Sequence, residues 1–209
     1  MDIPGIVLAG GKSSRMGRPK ALLPIGRAGE TFLQRITRTL SAAGIEDLVV
    51  VGGADAAAIR AGAHGLAAGV RIVDNPDWER GQLTSILAGL DAVNTGEAGG
   101  ILVTLVDVPL VNVSTVRTLT AVQRERQAAI VRPVSNGRHG HPVIFGRALF
   151  DELRRADPAA GDTTGRLTRR SPARQPRHRR PRQNRPPNKF RAPAFHAYQA
   201  RSGRRRRNP

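Results

Sequence analysis

Four apolar residues, Ile6-Val7-Leu8-Ala9, run directly into Gly10-Gly11-Lys12 and a loop that carries Ser13, Ser14, Arg15, Gly17, Arg18 and Lys20. An apolar run this short and unbroken reads as a strand buried on both faces, which demands covering layers on each side of the sheet. Glycines let backbone N–H groups approach a ligand closely, and the cations offset the charge of a polyphosphate. The ligand expected from this loop is a nucleoside triphosphate. Two commoner phosphate loops fail on spacing. A P-loop needs a glycine five residues before its Gly-Lys-Ser, where Ile6 stands, and the dinucleotide pattern needs one where Lys12 stands. A plain basic surface turn accounts for the glycines but not for so dense a block at a strand's mouth.

Strand and helix patterns then alternate. Thr31 to Ala43 places Phe32, Leu33, Ile36 and Leu40 on one helical face, and Leu48 to Val51 and Val70 to Val73 read as strands. Asp55 is placed to cap a short helix. Gly81 to Val93 reads as a helix with Leu83, Ile86, Leu87 and Leu90 inward; Gln82 and Ser85 lie at its start, either as ligand contacts or as caps. Ile101 to Val106 is the most apolar strand, and it delivers Asp107 at its carboxyl end. A carboxylate there suits magnesium held together with substrate phosphates, the other reading being a turn residue before Pro109. Ser114 is placed to cap a helix from Val116. Ala128 to Val134, a polar turn through Gly140, His141 and Pro142, and the returning run Val143 to Phe145 follow. The alternation predicts a three-layer α/β domain on a mixed, mainly parallel sheet.

The motif Leu8-Ala9-Gly10-Gly11-x-Ser13-x-Arg15-Met16-Gly17-x-Pro19-Lys20-x-Leu22-Leu23-Pro24 resembles the molybdenum-cofactor nucleotidyltransferase-like family. The resemblance continues in order through Gly81-Gln82-Leu83-Thr84-Ser85, Asp107-Val108-Pro109 and Gly140-His141-Pro142-Val143-Ile144-Phe145. It implies a Rossmann-like fold of the nucleotide-diphospho-sugar transferase type. It also implies magnesium-dependent transfer of a nucleoside monophosphate with release of pyrophosphate. Met16 to Lys20 with Gly81 to Ser85 looks more like the cytidylyl branch than the guanylyl one, so CTP is the expected donor and GTP the second. The implied acceptor is a molybdopterin-type cofactor, with a molybdoenzyme as its recipient. Carried onto this chain, Leu8, Ala9, Gly10, Gly11, Ser13, Lys20, Gln82 and Ser85 would hold the nucleotide. Arg15 and Lys20 would stabilise developing charge, Asp107 would anchor the metal, and Gly140 and His141 would face the acceptor. A sugar phosphate or another small phosphate is the alternative acceptor.

The net charge of +18 is unevenly spread. Residues 1–160 hold 18 Lys/Arg against 15 Asp/Glu, whereas residues 161–209 hold 16 against Asp162 alone. The sequence therefore divides into a transferase domain over 1–160 and an Arg/Pro-rich tail over 161–209. The tail is too poor in apolar residues to offset its ordering entropy, so disorder is expected there. Either it is a basic arm that binds nucleic acid through counterion release, or it is an out-of-frame ending that leaves the domain C-terminally incomplete. The family's acidic C-terminal end, which would help Asp107 hold metal, has no counterpart after Asp162. The absence of cysteine excludes disulfides and thiolate metal sites. Nothing resembles a signal peptide or an 18-residue apolar span, so a cytoplasmic protein with no membrane partner is expected.

Overall fold

In the computed structural model, residues 1–12 and 17–160 are described, together with the backbone of 194–198. The strands are β1 (Gly5–Ala9), β2 (Pro24–Ile25), β3 (Glu30–Thr31), β4 (Leu48–Gly52), β5 (Val70–Asp74), β6 (Gly100–Leu105), β7 (Ile130–Ser135), β8 (Arg138–His139), β9 (Val143–Gly146) and β10 (Ala194–Tyr198). The α-helices are α1 (Phe32–Ala42), α2 (Ala56–Gly62), α3 (Gln82–Ala92), α4 (Val113–Arg126) and α5 (Phe150–Arg155).

One sheet runs in the order β10-β7-β9-β6-β1-β4-β5, with β8 added to β7, and β2 and β3 pair separately. The strands β5, β4, β1 and β6 are mutually parallel. The returning strand β9 is antiparallel to both β6 and β7, so it is inserted between them. The sequence predicts the antiparallel member; its place inside the sheet comes from tertiary pairing.

Alternation along the central strands builds two cores. Val7, Leu48, Val50 and Leu102 face α1 and α4, meeting Leu33, Ile36, Leu40, Val116 and Leu119. Ile6, Val49, Val51, Ile101 and Val103 face α3 and α5, meeting Leu83, Ile86, Leu90, Phe150 and Leu153. Both faces of β1 are apolar because both are covered, as the opening run requires. Each fully buried aliphatic side chain contributes about 1.5–3 kcal/mol relative to exposure.

Several local expectations give way to other devices. Thr31 and Gln34 form a capping box on α1 that accounts for its start. Asp55 does precede α2, but with φ −104° and ψ 18° its side chain makes no capping bond. The residue before α4 is Asn112, and Ser114 lies inside the first turn rather than capping it. Within the tail, Ala194–Tyr198 is a strand antiparallel to β7, where the sequence predicts no regular structure. Residues 161–193 and 199–209 lie outside the described residues.

Candidate active site

The chain leaves β1 for β4 and β5 on one side, then returns to place β6 on the other. The crevice outside the carboxyl ends of β1 and β6 is therefore a switch point of the parallel sheet, where ligands bind in open α/β folds. A cleft of about 400 Å³ occupies it. Leu8, Ala9, Gly10 and Gly11 form its floor, Lys12 and Lys20 enter from the loop, Gln82 and Ser85 from α3, and Asp107 from the end of β6.

Lys20 Nζ lies 3.6 Å from Asp107 Oδ2, with the two side chains 44% and 47% exposed. Two residues that are 87 positions apart in sequence thus meet across the crevice, because Val106 N donates to Leu8 O and ties the ends of β6 and β1 together. Lys20 itself sits in a single 3₁₀ turn, Lys20–Leu22, closed by Leu23 N donating to Lys20 O.

The glycine floor has a steric cause. A Cβ on Gly53 would stand 2.4 Å from Gly10 O and 2.7 Å from Gly10 Cα. The backbones leaving β1 and β4 thus touch, and only glycine at 53 permits it. A Cβ on Gly11 would meet nothing within 4 Å, since it projects into open space.

The start of α3 is held without a side-chain cap. Its N-cap is Gly81 at φ 115°, and it makes no capping bond. Asn75, 4% exposed, does the holding. Its Nδ2 donates to Thr84 Oγ1 and to Ser85 Oγ, both at 2.9 Å, and its Oδ1 accepts from Asp77 N at 3.0 Å. Ser85 is 5% exposed yet lines the cleft, and Asn75 fixes its hydroxyl there.

Burial pushes the His141 imidazole below the usual histidine range, and the charge of Asp107 acts in the opposite direction. His141 and Gly140 do not line the Lys20–Asp107 cleft; Gly140 N donates to Pro133 O at the end of β7. Ser13 and Arg15 fall outside the described residues, as do Ser14 and Met16. The sequence reading misses Asn75, Gly53, Ile59 and Trp78. An asparagine directly after a strand that ends at the ligand-binding edge is a signal available for Asn75; the others become visible only when the loops meet.

Residues 5–177 match the model of the MobA-like NTP transferase domain. The chain belongs to this family. The match runs past residue 160, where the motif resemblance ends. Among relatives of this MobA-like transferase, a protein named nicotine blue oxidoreductase from Paenarthrobacter nicotinovorans is 35% identical over 175 residues, which are 79% of this chain and 82% of the relative. A probable molybdenum cofactor guanylyltransferase from Opitutus terrae is 36% identical over 62% of this chain and 60% of its own. Among solved structures, the Rv0371c protein of Mycobacterium tuberculosis in complex with manganese is 32% identical. It covers 75% of this chain and 77% of its own, with a TM-score of 0.59.

Asp107 places one half-exposed carboxylate, a hard oxygen donor, in the cleft. Among the described residues, no group of three or more His, Cys, Asp or Glu side chains is placed to hold a metal. An ion at Asp107 would therefore take its remaining ligands from phosphate and water, the habit of magnesium. The half-exposed carboxylate has room for this. Among the described residues, no helix is long and apolar enough to cross a membrane.

Proposed function

We propose that this MobA-like nucleotidyltransferase moves CMP from CTP onto the phosphate of a molybdopterin-type cofactor, releasing pyrophosphate. The observation that carries the reading is the 3.6 Å approach of Lys20 to Asp107 above the glycine floor, a cation and a carboxylate sharing one nucleotide-sized cleft. An acceptor phosphate oxygen attacks the α-phosphorus in line, and the bond to the β-phosphate oxygen breaks. Catalysis is then mostly positioning and charge neutralisation. Backbone N–H groups from Ala9 to Ser13 hold the phosphates, and Arg15 and Lys20 stabilise charge on the α-phosphate and departing pyrophosphate. Gln82 and Ser85 contact base or ribose, and Gly140 and His141 face the acceptor. Asp107 holds magnesium, which when bound neutralises phosphate charge.

The cytidylyl preference rests on Met16 to Lys20 and Gly81 to Ser85; the Opitutus relative's name points to GTP instead. Incubation with α-labelled CTP or GTP and a panel of phosphorylated acceptors, with and without magnesium, tests donor, acceptor and metal together. Absence of transfer from either nucleotide to any acceptor, with no magnesium-dependent triphosphate binding, rejects the reading. The nicotine blue oxidoreductase relative favours a second reading, redox chemistry in the same cleft. Oxidation of a reduced nicotinamide cofactor by the purified protein would support it over transfer.

A further inference from the structure

Trp78 is the single tryptophan of the chain, and it stands half-buried in the wall of the Lys20–Asp107 cleft. That cleft is lined by two unlike kinds of side chain. Lys12, Lys20, Glu79 and Asp107 supply charge, whereas Ile59, Leu105 and Trp78 supply apolar surface. A phosphate chain needs the first and gains nothing from the second. A planar heterocycle, whose faces are poorly hydrated, has the opposite preference.

The indole is also carried on a pinned turn. Arg80 N donates to Asp77 O at 3.0 Å and Gly81 N to Trp78 O at 3.3 Å. Thr84 Oγ1 donates to Asp77 O at 3.0 Å, and Asn75 bonds both Asp77 N and the hydroxyls of Thr84 and Ser85. Trp78 thus belongs to the same rigid unit as Gln82 and Ser85, held in place before any ligand arrives, which limits the ordering cost of binding.

We propose that Trp78 is the stacking platform for the base of the bound nucleotide, with Ile59 and Leu105 completing an apolar subsite beside the phosphate grip. This rests on the nucleotidyl-transfer reading above. Every base presents a π-face, so the platform sets nucleotide affinity and leaves the choice of base to other contacts.

Because the protein has one tryptophan, its tryptophan emission, excited selectively over Tyr198, reports on this subsite alone. CTP, GTP and inorganic tripolyphosphate are titrated in magnesium, with calorimetry and fluorescence read in parallel. Both nucleotides should quench Trp78, whereas tripolyphosphate should bind with little change in emission. Trp78→Leu should weaken both nucleotides by about tenfold or more, the scale of one lost base–aromatic stack, and leave tripolyphosphate unaffected. Trp78→Phe should recover most of the affinity. Nucleotide binding that releases heat but leaves emission unmoved overturns the platform while the transfer reading stands. Equal weakening of tripolyphosphate and nucleotides by Trp78→Leu also overturns it, since the ring would then be supporting the loop. Failure of all three ligands to bind removes the transfer reading, and the platform with it.

Discussion

Replacing Lys20 with alanine separates a functional ion pair from a structural one. At 3.6 Å two unit charges attract by about 4–5 kcal/mol at an effective dielectric of about 20, and by about 1 kcal/mol in bulk water. Both side chains are nearly half exposed, so the aqueous figure governs, and pairs of this kind contribute at most about 1 kcal/mol to stability. For a domain of this size that is a melting-temperature loss of no more than about 4 °C. A cation that stabilises charge appearing only in the transition state is worth far more, about 10²–10³ in rate. Lys20→Ala should therefore lower kcat/KM for nucleotidyl transfer by about two to three orders of magnitude while the melting curve hardly moves. The measurements are transfer of labelled nucleotide and thermal unfolding on the same preparation. Undiminished turnover would refute the catalytic role. A melting point lowered by about 10 °C or more would show that Lys20 is chiefly structural.

Other outcomes follow from the same geometry. Gly53→Ala should cost about 1–3 kcal/mol in denaturant unfolding, because its Cβ meets the Gly10 backbone rather than a yielding side chain, whereas Gly11→Ala should leave stability unchanged and weaken triphosphate binding. Equal stability of the two variants would contradict this. Asn75→Ala removes three hydrogen bonds from a buried site and should destabilise the fold by about 2–3 kcal/mol while raising KM for the nucleotide; a neutral result would show that the start of α3 does not depend on it. Burial lowers the pKa of His141 in the folded state, so the unfolded chain takes up its proton first. Stability should fall as pH drops through about 6.5, and His141→Asn should flatten that fall in chemical unfolding series; an equally steep fall in the variant would assign it to other groups.

The opening stretch made the architecture legible. Ile6 to Ala9 is apolar at every position, so both faces of its strand had to be covered, and the layers found on each side satisfy that requirement. The run Ile101 to Val106 likewise announced a central strand ending in a carboxylate. Caps were less legible. Asp55 and Ser114 have capping chemistry, but neither has the capping bond, since a side-chain cap depends on backbone angles that composition does not specify.

Sequence alone determined the layered α/β fold, the glycine-rich loop and the family, because each follows from local residue order and short-range periodicity. The tertiary structure decided what meets across the crevice: Lys20 with Asp107, Gly10 with Gly53, and Trp78 in the wall opened by α3's start. It also decided that β9 enters between β6 and β7 and that β10 adds to β7. These contacts join residues far apart in the chain, and strand order, which brings them together, is set by the competition among whole strands for partners rather than by any single stretch.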